Sequence, residues 1–401
     1  MISSRIPSNY LISQIATDIV QKQSDLAQIQ EQISSGKKVN RPSDEPAYSA
    51  RILSMREATE KLEQFDRNSS AAEAQLSLEE GALDGVVNNI NRIRELALSV
   101  NSGVVDDVTR QAVNAEVKLQ LDELYTLANS RDSFGNFLFG GSNNQTGPFA
   151  KGDPVVYNGK DDSTDLTIGL GRKVKTGDSG IDVFMRIRNG NGTFSTSPDA
   201  ANTGSGVISQ GAITDHSQFD GSTYRLQFTS ATTYDILNDT TGGTVSTGNT
   251  LSAGDPIEFN GMRTTINGSP ASGDSFVMEP SQYQDLFSTV SRFVNAIDQN
   301  PTTAAESAKL TQAVNDTIVN LDVSLDHINT VRAGVGARLN SIDSSREQNS
   351  NVQLQIERIL SDVEDIDIAE AVTNLQTQAN TLEILQKSFS RIEGLSLFNF
   401  M

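Results

Sequence analysis

The sequence predicts an α+β fold: a long, coiled-coil-like helical bundle built from both termini, with a central β-rich insert domain. Residues 141–280 hold 21 of the 30 glycines and six of the ten prolines, whereas the flanks are rich in Gln, Asn, Ala, Leu, Ile and Glu. Gly and Pro punctuate turns between short strands and are costly inside helices. In the flanks, apolar residues recur at alternating steps of three and four, the spacing of a narrow stripe along one helix face. Only 36% of the 401 residues are hydrophobic and 6% aromatic, with no Trp, which favours thin seams between long elements over one large aromatic core. The chain therefore reads as an N-terminal helical arm (1–140), a Gly-rich β domain (141–280, whole or in two small sub-domains) and a C-terminal helical arm (281–401).

The first helix carries Ile12, Ile15, Ile19, Leu26, Ile29 and Ile33 on its seam, with Lys22 breaking the series and Gly36 as its C-cap. The second starts near Ser43, Asp44, Glu45 and Pro46, where Ser or Asp caps free N–H groups and Pro is tolerated in the first turn. Its stripe runs from Met55 through Leu62, Phe65, Leu76, Leu83, Ile90 and Ile93 to Val100, with Ser69 and Glu79 in two seam positions. About 55 helical residues span roughly 80 Å. A third helix, near Asp106 to Asn129, presents Val113, Val117, Leu121, Leu124 and Ala128 and is expected to fold back on the second. In the centre, strands are expected at Asp165 to Leu170, Tyr224 to Phe228 and within Ile257 to Ile266, with a Gly/Ser-rich loop from Ala200 to Gly211. The C-terminal arm mirrors the first: Val314, Ile318, Leu321, Leu325, Ile328, Val335, Leu339 and Ile342 form one seam, interrupted by Arg332. After the acidic passage Asp362 to Asp367, a last helix carries Ile368, Ala371, Leu375, Leu382, Leu385, Phe389 and Ile392, with Gln378 as its polar seam position.

Six apolar side chains are too slim a stripe to order the first helix alone, because backbone entropy is lost at every residue. Its natural partner is the last helix. The expected assembly seam is Ile12, Ile15, Ile19, Leu26, Ile29 and Ile33 against Ile368, Leu375, Leu382, Leu385, Phe389 and Ile392, with both ends completing their folding on assembly.

The net charge of −20 argues against nucleic acid, since the compact basic run is limited to Lys37, Lys38 and Arg41, read as a solvated loop or a contact for acidic neighbours. There is no Cys, and the two histidines, His216 and His327, are far apart, so disulfides, thiolate metal sites and His-based nucleophile pairs find no support. No apolar run is long enough for a membrane span, and the opening residues lack the pattern of a cleaved secretory leader. Gly169 and Gly171 lack the third glycine of a dinucleotide fingerprint; Asp161, Asp162 and Asp165 lack the order of a calcium loop; the run Asp362 to Asp367 reads as solvated or capping. The sequence nominates no catalytic, cofactor-binding or metal-ligating residue, and the chain is expected not to be an enzyme.

Local strings add a different kind of evidence. Ile33 to Ala47 (Ile-Ser-Ser-Gly-Lys-Lys-Val-Asn-Arg-Pro-Ser-Asp-Glu-Pro-Ala) resembles the flagellin-family signature after the first helix. Asn91 to Ala97, with Asn101 and Gly103, is similar to the next family block, Val331 to Asn340 to the C-terminal block, and Gly394 to Phe398 to the family's terminus. The resemblance covers both arms and says little about the centre. Within the family, Phe134 to Gly141 (Phe-Gly-Asn-Phe-Leu-Phe-Gly-Gly) followed by Pro148 and Phe149, the form of the loop Pro42 to Pro46, and the opening Met1 to Ile6 look like members at the hook–filament junction; filament flagellin is the alternative. The resemblance implies a structural subunit of the bacterial flagellum that forms a ring with copies of itself, with the other hook–filament junction protein on the hook side and flagellin on the filament side. It also implies a cytosolic export chaperone at the C-terminal region, type III export without a cleaved leader, and an extracellular place in the flagellum. Paired terminal helices would line the inner tube, with the insert pointing outward.

Overall fold

The computed structural model describes residues 8–43, 45–101, 106–152, 154–252 and 254–398. Six helices flank and follow a run of strands: α1 (Ser8–Ser35), α2 (Pro46–Asn101), α3 (Asp107–Ala128), α4 (Leu286–Asp298), α5 (Ala304–Glu364) and α6 (Ile368–Phe398). The chain divides into two units, Asn68–Ser344 and the remainder from both ends, and α2 and α5 contribute residues to each. The paired units thus cut across the 1–140, 141–280 and 281–401 arrangement, because residues from the two arms cluster with each other.

In the unit Asn68–Ser344, the α2 stripe (Ala72, Leu76, Leu83, Val86, Ile90, Ile93, Ala97) and the α5 stripe (Val314, Leu321, Ile328, Val335, Ile342) are buried in one core with Val113, Val117 and Leu124 of α3. The α5 residues recur every seven positions, so a single seam runs along that helix. Asp106 caps α3, its carboxylate accepting from the Thr109 N–H at 2.8 Å. Helix α4, which the sequence pattern did not single out, packs Phe287, Val290, Phe293 and Ile297 into this core, and Tyr125 stacks on Phe287 at 4.5 Å between ring centroids.

The strands are β1 (Phe149–Ala150), β2 (Val156–Tyr157), β3 (Asp165–Gly169), β4 (Arg172–Lys175), β5 (Ile187–Arg188), β6 (Phe194–Pro198), β7 (Val207–Ile208), β8 (Ala212–Ile213), β9 (Tyr224–Phe228), β10 (Thr233–Asn238), β11 (Gly243–Thr250), β12 (Pro256–Phe259), β13 (Met262–Asn267), β14 (Ser275–Pro280) and β15 (Tyr283–Gln284). The expected strands at Asp165, Tyr224 and Ile257–Ile266 are therefore present. Antiparallel pairing orders five strands β11-β10-β9-β14-β6 and three β12-β13-β7, with β8 also on β13. Strand β9 alternates strictly: Tyr224, Leu226 and Phe228 face a second core with Phe194, Ile236, Ile266, Phe276 and Met278. Residues 149–188, by contrast, share the helices' core through Phe149, Ile168, Val174, Val183 and Phe184. The stretch Ala200 to Gly211 is not wholly loop: it contributes β7, which pairs with β13 at Ile208↔Ile266.

Candidate functional site

Helices α1 and α6 pack on each other in the unit formed by the two chain ends. Of the expected seam, Ile15, Ile19, Leu26, Ile29 and Ile33 on α1 are half-buried, as are Leu375, Leu382, Leu385 and Phe389 on α6. Ile368 opens α6 and is 59% exposed, so it does not join them. The side chains of Ile12 and Ile392 lie outside the described residues. One helix covers only one side of another's stripe, so a lone pair leaves each seam residue partly wet. Val20 and Ile384 are more exposed still, at 66% and 64%.

The joint beneath this pair is a knot of named bonds. α1 stops at Gly36, whose φ of +72° suits glycine, and the chain crosses to Asp365 in an antiparallel bridge at Lys37. The Lys38 N–H donates to the Glu364 carbonyl at 2.6 Å, the Ile366 N–H to Gly36 at 3.1 Å, and Gln32 Nε2 to the Lys38 carbonyl at 2.7 Å. The Glu364 carboxylate is buried and ion-paired with Lys37 and with Arg56, the latter at 2.6 Å. Arg41 pairs with Glu31 at 2.9 Å. Two expectations change here. The basic loop meets acids of its own chain, and Glu364, within the acidic run, is a buried partner because two cations replace its water. Asp367 does cap, accepting from the Ala369 and Glu370 N–H groups at 2.9 and 3.2 Å. In the cap before α2, Asp44 lies outside the described residues.

A second joint, inside Asn68–Ser344, ties the β strands to α5. Gln312 brackets β7: its Oε1 accepts from the Ile208 N–H at 2.8 Å and its Nε2 donates to the Ile208 carbonyl at 2.9 Å. Gln210 Nε2 and Gln312 Nε2 both donate to Asp316 Oδ1, at 2.6 and 2.7 Å, and Asn320 Oδ1 accepts from the Gly190 N–H at 2.9 Å. Desolvation lifts the Asp316 carboxyl to about 6 against the lowering effect of the two amides. The sequence reading missed this joint; its signal was Gln312, Asp316 and Asn320 at steps of four within one helix. Glu79, a polar seam position of α2, is likewise buried. Desolvation, then repulsion from Asp178, pushes its carboxyl up to about 8, against the attraction of Arg338. Arg338 in turn pairs with Asp178.

The remaining candidates hold turns. Asp161 pairs with Arg186 at 2.5 Å, and Asp162 accepts from the Ser142 N–H and hydroxyl, which hold its carboxyl below the usual range. Gly171 turns between β3 and β4 with φ +73°. His327 Nε2 lies 2.8 Å from the Asp182 carbonyl. Among the described residues there is no group of three or more His, Cys, Asp or Glu placed to hold a metal, and no helix long and apolar enough to cross a membrane.

Long helices contributed by both ends of the chain, with a β-rich insert between them in the sequence, are the organisation of a structural subunit of the flagellin class. Residues 6–144 match the model for the bacterial flagellin N-terminal helical region, and residues 197–280 match that for the D2-like domain of flagellar hook-associated protein 1. FlgL of Xanthomonas campestris, a solved structure, is 30% identical, with a TM-score of 0.71 over 76% of this chain and 99% of that one. The flagellar junction protein FlgL of Legionella pneumophila is 28% identical, with a TM-score of 0.71 over 79% of this chain and all of that one. Flagellar hook-associated protein 3 of Escherichia coli K12 is 22% identical over 98% of both chains. The chain belongs to the family of flagellar hook-associated protein 3, FlgL, a flagellar structural protein.

Proposed function

We propose that this chain is a structural subunit of the junction between flagellar hook and filament, where copies form a ring with the other junction protein on the hook side and flagellin on the filament side. The observation that carries this is the match over almost the whole length of junction proteins, insert included; the hook-associated D2-like match at 197–280 favours it over filament flagellin. The α1 and α6 seam is the assembly surface: Ile12, Ile15, Ile19, Leu26, Ile29, Ile33, Leu375, Leu382, Leu385, Phe389 and Ile392 are sealed by neighbouring subunits, and Ile368 joins them there. The chain leaves the cell by the flagellar export route, escorted by a cytosolic chaperone on its C-terminal region, and resides outside the cell. Deleting the gene is expected to leave cells with hooks but no filaments and with flagellin shed into the medium, as read by electron microscopy and immunoblotting. Filaments of normal length on the deletion strain would sink the reading, and unaided growth of the purified chain into long filaments would favour flagellin.

A further inference from the structure

Inside the unit Asn68–Ser344, two carboxyl groups and one guanidinium meet where the chain leaving β4 crosses α2 and α5. Glu79 of α2 is 1% exposed. Its Oε1 accepts from the Asp178 N–H at 3.0 Å, whereas its Oε2 is shielded from water and has no hydrogen-bond partner. The Arg338 guanidinium of α5 pairs with Asp178 instead, and both of those side chains are largely buried. Arg338 Nε donates to the Gly334 carbonyl at 3.2 Å, and its Nη1 is shielded and unpaired. On α2 itself the adjacent Glu80 is taken up by Arg332 at 2.7 Å. One cation cannot neutralise two carboxylates. An ionised Glu79 would therefore hold a buried charge answered by a single backbone N–H. A bound proton removes that charge and makes Oε2 a donor. An acceptor stands close by: a Cβ placed on Gly177 would lie 3.6 Å from Oε2 and 3.7 Å from the Leu138 carbonyl.

The segment that walls this carboxyl, residues 176–180, is held by few bonds. The Thr176 N–H donates to the Thr164 carbonyl at 2.9 Å and the Gly180 N–H to the Phe139 carbonyl at 2.9 Å, with the Asp178 contacts between them. Val183 and Phe184, which follow at once, are fully buried in the helices' core. Lifting the segment would open that core.

We propose that Glu79 is a proton-binding site that latches residues 176–180 onto α2 and α5, and that loss of the proton releases them. In the step, the Glu79 carboxylic acid gives its proton to hydroxide, forming water, and the carboxylate left behind repels Asp178. Desolvation, then Asp178, holds the carboxyl at about 8 against Arg338, so the latch is shut at neutral pH. Its contribution to stability is full below 4.5 and is lost as pH rises through about 8.

The test follows amide hydrogen exchange of the full chain, with intrinsic rates corrected for pH. Protection at Gly180 and Val183 is expected to fall about tenfold between about pH 7 and pH 9, the change that linkage gives for one such group. Asp316 is ionised throughout this window and contributes no slope. Glu79→Gln, which keeps the acceptor for the Asp178 N–H without the charge, should show the same protection at both pH values. Asp178→Asn frees Arg338 to neutralise Glu79 and should also abolish the slope. Infrared spectra with isotopically labelled glutamate should show a protonated carboxyl at neutral pH in the native chain and lose it in both variants. An ionised Glu79 at neutral pH, native protection that does not change with pH, or a slope that persists in Glu79→Gln overturns the proposal.

Discussion

Asp316 accepts hydrogen bonds from two glutamines, yet its carboxyl is lifted to about 6 because protein has replaced most of its water, which outweighs the two amides and the attraction of Arg292. A carboxyl raised from 3.8 to about 6 contributes stability that is full below pH 3.8 and lost as pH rises through 6. The native unit should therefore be less stable at pH 8 than at pH 5. Asp316→Asn keeps an oxygen for the glutamines and removes the charge. Urea titrations are expected to show it more stable by about 1–2 kcal/mol at pH 8, allowing for the accessible edge of the group, and by a smaller margin at pH 5. Equal stability of the two proteins at pH 8 would contradict this. The sequence shows these amides and acids only as polar helix residues. Their partners lie in β7 and the adjoining turn, more than 100 positions away, so no local pattern reveals them.

At the scale of elements, the knot at Glu364 joins the ends of α1 and α5 to the starts of α2 and α6. Glu364→Ala leaves Lys37 and Arg56 without their shared carboxylate. Both cations reach water, so the loss should be moderate, about 1–3 kcal/mol for the terminal unit. Hydrogen exchange is expected to accelerate at Gly36–Arg41 and Ile366, while the α5 seam at Leu321 and Ile328 is unchanged. The terminal pair yields a second prediction. Its seam residues are half-buried in the single chain, whereas Val314, Leu321, Ile328, Val335 and Ile342 of α5 are at or near zero exposure. Amides of α1 and α6 should exchange faster in the free subunit than those around Leu321, and gain protection in flagella. Equal protection of both regions in the free subunit would argue against folding completed by neighbours. Heptad spacing announced these helices. Helix α4 escaped notice because 13 residues hold too few turns for a stripe to stand out beside a 61-residue neighbour.

For the molecule as a whole, the net charge of −20 opposes association of identical copies. The contacts proposed between copies must then be apolar or locally paired, as the half-covered seam of α1 and α6 is. Self-association of the purified chain should strengthen as salt rises from about 20 to 500 mM, since screening relieves repulsion that acts beyond contact distance. Sedimentation velocity reads this directly, and association that weakens with salt would point to charge-driven docking.

The sequence by itself determined the helical arms, the place of the β insert and the family, because periodicity, glycine placement and signature strings are local properties of the chain. It also nominated the terminal seam. Only the tertiary structure decided that the basic loop and Glu364 neutralise each other, that residues 149–188 belong to the helices' core, and that Gln312 and Asp316 bind the strands to α5. Those outcomes depend on which distant groups meet and how much water they lose, and neither quantity is written in any short stretch of sequence.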